Sequence, residues 1–187
     1  GDMRVLFSAS IFLGAIFLIL SSPASAELAP QTDTPPTRIL HVMSYHTPWR
    51  WTEGQLEGFK TGLGGIKAEF KVFELDTKRH SEARQKAERG AAARALIEQW
   101  APHLIYTTDD DAQELVTRHY LNTPIVQVFS GVNNAPEQYG FDKADNVTGV
   151  VEHEHFSESV TLLKRVVPGM KRMVVVLDNA AMWGPVV

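Results

Sequence analysis

Apolar and polar positions change period repeatedly along this chain. Ile39 to Ser44 is a short apolar, β-favouring run, as are Phe70–Leu75, Leu104–Thr107 and Ile125–Phe129. Between them the spacing widens to three and four residues. Leu56, Phe59, Leu63 and Ile66 share one helical face, and the Ala-rich stretch from Ser81 to about Trp100 predicts a long, closely packed helix. A shorter helix is expected from Asp109 to about Tyr120. Thr52 and Gln55 have capping-box spacing for the first helix, and Ser81 can cap the second. Pro124 precedes the fourth strand, and Ser130 to Gly140 reads as a loop. Beyond it come a short extended run, 146–151, an apolar-faced helix from Phe156 to Val167 and a last strand from Lys171 to Leu177.

Strand and helix therefore alternate, which calls for a parallel sheet with right-handed crossovers. The expected class is α/β: a Rossmann-like parallel sheet of order 2-1-3-4 with helices on both faces. In that order the switch point lies between strands one and three, where ligands bind off the carboxyl ends.

The first residues read differently. Arg4 precedes an apolar run from Val5 to Leu20, followed by Ala24-Ser25-Ala26. That is the form of a secretory signal peptide, residues 1–26, and it implies a periplasmic or otherwise extracytoplasmic protein. The alternative is an uncleaved anchor, for which the run is short. Residues 27–37, with Pro30, Pro35 and Pro36, read as a linker. Residues 38–145 form the first lobe. Residues 146–187 look like the start of a second α/β lobe, cut short.

Composition excludes little. A net charge of -4 without a basic stripe argues against nucleic acid as a partner, and the absence of cysteine removes thiolate chemistry, Cys-ligated zinc and disulfides. Each strand end is followed by a loop rich in rings and hydrogen-bonding groups. These are Tyr45, His46, Trp49, Arg50 and Trp51; Asp76 to His80; Thr107 to Asp111; Ser130 to Asn134; and Asp178 to Trp183. Such a mixture suits a small-molecule pocket. Blander readings stand beside it. Asp109 can cap a helix, Asp110 and Asp111 can serve the helix dipole, Trp49 and Trp51 can pack the loop, and Gly131 can serve backbone geometry. His153 and His155 lie on one side of an extended segment, but no third metal ligand is apparent, and a solvated charged loop is the better reading. No nucleophile elbow, phosphate loop or His-Glu-x-x-His motif is present.

Five segments occur together in order: Ser44-Tyr45-His46 with Trp51-Thr52, Leu75 to Arg79, Asp109 to Ala112, Phe129 to Asn133, and Asn146 to Val150. The set resembles the ABC-transporter substrate-binding protein family with a type I periplasmic-binding fold, and it is similar to extracytoplasmic sensor domains of histidine kinases. The resemblance implies two lobes with a ligand in the cleft between them, and a membrane permease as partner. It implies no catalytic residue, no metal and no cofactor. It would place Tyr45, His46, Trp51, Asp109, Asp110, Ser130, Gly131 and Asn133 on the cleft from the first lobe, and Asp178 and Trp183 from the second. Ser130 stands where many members carry a cysteine. The expected function is capture of a small organic ligand, an amino acid or similar, by hinge closure. The alternatives are a ligand-sensing domain of a sensor kinase and, from a different class, a metal-dependent hydrolase using His153 and His155.

Overall fold

The computed structural model describes residues 35–177. Its frame is one five-stranded sheet, all parallel, built from β1 (Thr37–Met43), β2 (Ala68–Glu74), β3 (Leu104–Thr108), β4 (Val126–Val132) and β5 (Val147–Val151). The order is β2-β1-β3-β4-β5, so the predicted order of the first four strands holds. The connecting helices are α1 (Arg50–Gly62), α2 (Ala83–Trp100) and α3 (Asp109–Leu115), with α4 (Phe156–Val166) after the last strand.

Alternation along β1 sorts the two faces. Leu40 and Val42 join Ile105 of β3 on one face, where Ala93 and Ile97 of α2 and Ala112 and Val116 cover them. Gly90 of α2 comes so near α3 that an added Cβ would lie 3.0 Å from Leu115 Cβ. The Ala-rich middle of α2 makes that approach possible. On the opposite face His41 stacks on Tyr106 at 4.6 Å, and Phe59 of α1 stacks on Tyr106 at 4.0 Å. Helices therefore lie on both faces. A second apolar cluster, Phe129, Val132, Tyr139 and Phe141, closes the β4–β5 end.

Several boundaries differ from expectation. Thr52 is not an N-cap: α1 starts two residues earlier, and the buried Thr52 hydroxyl points back to the carbonyls of His46 and Trp49, at 2.9 and 2.8 Å. Nor does Ser81 cap α2, which starts at Ala83 after an extended Glu82. The third helix ends at Leu115 because Val116 (φ -131°, ψ -66°) leaves helical geometry, and a 3-10 turn, Thr117–Tyr120, follows. β4 runs on to Val132, so Ser130 and Gly131 belong to a strand. The extended run after Asn146 pairs with β4 as β5, which carries the first sheet past residue 145. Lys171 to Leu177 is not a strand: β-branched residues supply propensity, but this segment has no ladder partner among the described residues. α4 buries none of its residues.

Candidate ligand site at the carboxyl edge

Ser44 ties the edge together. It is the first residue beyond β1, and its hydroxyl donates to the Thr108 carbonyl at 2.6 Å and accepts from the Ala112 amide at 2.7 Å. The end of β1 is thereby fixed to the end of β3 and to the first turn of α3. This is the predicted switch point, and two groups of side chains flank it.

The first group is aromatic. Tyr45 is buried and sits 5.1 Å from the ring of Trp49, while His46 lies 6.0 Å from the same ring. Lys78 stands over the Tyr45 ring at 4.9 Å. His46 Nδ1 is 3.1 Å from Asp76 Oδ1, an ion-pair distance without the alignment of a hydrogen bond. Arg79 donates to the same Asp76 oxygen at 2.8 Å. Trp49 remains 39% exposed.

The second group centres on Asp109. Its carboxylate accepts the Trp51 indole N–H at 2.7 Å on Oδ1 and the Gln55 amide at 3.3 Å on Oδ2. Asp109 adopts φ +64°, a left-handed conformation that aspartate tolerates better than most residues. Burial pushes its pKa up to about 7; the Trp51 and Gln55 hydrogen bonds oppose the rise, and the charges of Asp110 and Glu152 reinforce it. Trp51 itself is 40% exposed while Asp109 is 3% exposed. The carboxylate thus holds the indole at its N–H edge. Asp109 does not cap α3 with its side chain; Thr108 occupies the cap position, also without a side-chain bond.

β4 completes this group. Ser130 Oγ donates to Gln55 Oε1 at 2.6 Å and lies 2.7 Å from the Tyr106 hydroxyl. Gly131 has φ +68°, and a Cβ there would fall 2.8 Å from Gln55 Oε1. The positive φ favours glycine, and a Cβ there would push the end of the Gln55 side chain out of its place.

Asp110 faces the other way along the edge. It accepts from the backbone amides of Asn133 and Asn134, at 3.1 and 3.0 Å, and from the Tyr139 hydroxyl at 2.7 Å. Its oxygens hold the loop after β4 in place. Burial and the Asp110 bond raise the Tyr139 phenol far above its ordinary range. Asn133 Nδ2 donates to Glu154 at 3.0 Å, and an open groove of about 400 Å³ runs beside it, lined by Glu152, His153, Phe156 and Glu158 among others. Burial and neighbouring Glu154 raise the pKa of Glu152.

The edge therefore unites Tyr45, His46 and Trp49 in one cluster, Trp51, Asp109, Ser130 and Gly131 in a second, and Asp110 with Asn133 in a third. Asp178 and Trp183 lie outside the described residues. His155 is exposed beside Glu158, and no group of three or more His, Cys, Asp or Glu among the described residues could hold a metal ion. Gln55, Ser44, Tyr106 and Tyr139 were not anticipated. Gln55 carried a signal, its capping-box spacing, but that signal pointed to the wrong role.

Together these features define a Rossmann-like α/β lobe whose polar and aromatic groups gather at the carboxyl edge of a parallel sheet. No family model matches the sequence, and no curated protein does. Two solved structures share the fold. A conserved domain protein from Vibrio cholerae is similar with a TM-score of 0.53 and 17% identity, over 72% of this chain and 45% of that one. The ABC domain in complex with L-Trp from Streptococcus pneumonia is similar with a TM-score of 0.50 and 14% identity, over 70% of this chain and 43% of that one. These likenesses support a Rossmann-like α/β fold. This chain spans less than half the length of either structure.

Proposed function

We propose that this chain is the ligand-binding lobe of an extracytoplasmic solute-binding protein serving an ABC-type importer. Its ligand is a small organic molecule, an amino acid or similar, and it binds without being transformed. The observation that carries the reading is the pair of half-open indole rings, Trp49 at 39% and Trp51 at 40% exposure, on the carboxyl edge at the switch point. Exposed tryptophans offer flat apolar walls for a ligand ring, and Trp51 is held at its N–H edge by Asp109. The carboxylates of Glu152, Glu154 and Glu158 along the groove favour a ligand bearing a protonated amine. A neighbour of the same fold that holds L-Trp is consistent with this ligand class. Hinge closure onto a permease-docking form follows if the closed state alone makes the second set of ligand contacts.

The test is calorimetric titration and thermal shift of the purified protein with the twenty amino acids and related amines, L-Trp first. A ligand at 100 times its dissociation constant should add about 2.7 kcal/mol of stability. Trp51→Ala should abolish the effect. A full panel without binding, or binding unchanged in Trp51→Ala and Trp49→Ala, would remove the reading.

A further inference from the structure

We propose that Gln55 is a positioning residue of this site: its side-chain amide joins α1 to the ends of β3 and β4 and fixes the Asp109 carboxylate that holds the Trp51 indole. The proposal rests on the binding-site reading above and names the group that sets its geometry.

Trp51 and Gln55 are four residues apart on α1 and so share a face. Both reach the same carboxylate, one on each oxygen. The two ends of the Gln55 amide are matched to their surroundings. The carbonyl end receives the Ser130 hydroxyl, and the amino end donates to Asp109. The Gln55 main-chain carbonyl accepts from the Tyr106 hydroxyl at 3.3 Å, which anchors the residue a second time. Turning the amide over would set its oxygen against the Asp109 carboxylate, so the ionised carboxylate selects the orientation with the amino end toward it. Gly131 is an independent sign of the same arrangement. A side chain there would meet Gln55 Oε1 at 2.8 Å and Asp109 Oδ1 at 3.3 Å, so the strand leaves open the volume that the amide fills.

The charged groups facing Asp109 are Asp110 on α3 and Glu152 after β5, both of which disfavour its ionised form. α1 and β4 face it with the neutral groups Trp51, Gln55, Ser130 and Gly131, and β3 with the Tyr106 phenol. Gln55 and Trp51 therefore supply the donors that favour the carboxylate.

Tryptophan fluorescence of the full chain, titrated from pH 5 to 9, tests this without any ligand. The component that disappears in Trp51→Phe reports Asp109, and its midpoint in the native protein should lie near pH 7. Gln55→Met keeps the length of the side chain but removes the donor, so it should move that midpoint up by about half a pH unit or more. Gln55→Glu adds a like charge and should move it further. A folded Gln55→Met protein with an unmoved midpoint would reduce Gln55 to a packing residue and overturn the proposal, as would a native protein with no Trp51 component that titrates. A moved midpoint in a protein that binds none of the amino acids would uphold the role of Gln55 on Asp109 and count against the ligand reading alone.

Discussion

The indole N–H of Trp51 donates to Asp109 Oδ1 at 2.7 Å across 58 residues of sequence. This one bond joins the first turn of α1 to the end of β3 and orients the ring offered as a ligand wall. Its strength depends on the charge of its acceptor, because a hydrogen bond to an ionised group is stronger than one to a neutral group. Trp51→Phe should therefore cost about 2 kcal/mol at pH 8, where Asp109 is mostly ionised, and clearly less at pH 5. Urea unfolding at the two pH values measures this, and an equal loss at both would mean that Asp109 does not titrate between them.

Two buried groups titrate in opposite senses. His41, wholly buried, is held down to about 3 by burial and by Lys60, while burial lifts Asp109 to about 7. Between about pH 4 and 6.5 the unfolded chain binds a proton at His41 that the folded chain refuses, so acid destabilises. Over the same range the folded chain keeps a proton at Asp109 that the unfolded chain releases, so base destabilises. The two slopes cancel in the native protein. Asp109→Asn leaves the His41 slope alone, and its stability relative to wild type should rise by about 1.4 kcal/mol per pH unit from pH 4 to 6.5. Chemical denaturation of both proteins across that range gives the difference curve; a flat one would refute the raised pKa of Asp109.

Asp110 supports the loop after β4 through two backbone amides and one phenol. Asp110→Ala leaves all three without their acceptor and should cost about 2 to 4 kcal/mol. Tyr139→Phe removes one of these three bonds, together with the bond that the phenol accepts from Asn134 Nδ2 at 3.1 Å, and should cost about 1 to 2 kcal/mol. Amide exchange at Asn133 and Asn134 should accelerate in Asp110→Ala and stay near the native rate in Tyr139→Phe. Equal acceleration in both would make the phenol, rather than the carboxylate, the main support.

The strands were legible because each is a short β-rich run whose inward residues must be apolar, and the order of the first four followed from the alternation with helices. The last predicted strand failed for a physical reason. Val174, Val175 and Val176 have strand propensity, but a strand also needs a hydrogen-bonding neighbour, and this one has none among the described residues. Capping was misread for a related reason. Thr52 and Gln55 have the right spacing, yet the hydroxyl bonds backward to His46 and Trp49 while the amide goes to Ser130 and Asp109. Sequence spacing shows only which partners are near in the chain. Residues at or shortly after strand ends, such as Trp51, Asp109 and Ser130, could be picked out because topology alone gathers strand ends. Gln55 could not, since its role depends on how α1 lies over β3 and β4.

Gly149 offers a sharper test of the β4–β5 pairing than any residue of the site. It lies opposite Phe129 in the register, just before the ladder shifts between Phe129 and Val132. A Cβ at Gly149 would fall 2.4 Å from both the ring and the main-chain oxygen of Phe129. The ring can rotate away, but the carbonyl is part of the ladder and cannot move without breaking it. Phe129 also packs on Phe141 at 5.3 Å, so a displaced ring would disturb the second core cluster as well. Gly149→Ala should thus destabilise by at least about 3 kcal/mol, the upper end of ordinary overpacking. It should also release the amides of β5 to exchange while those of β1 to β3 remain protected. Native stability in this variant would mean that β5 does not pair with β4 in the register described.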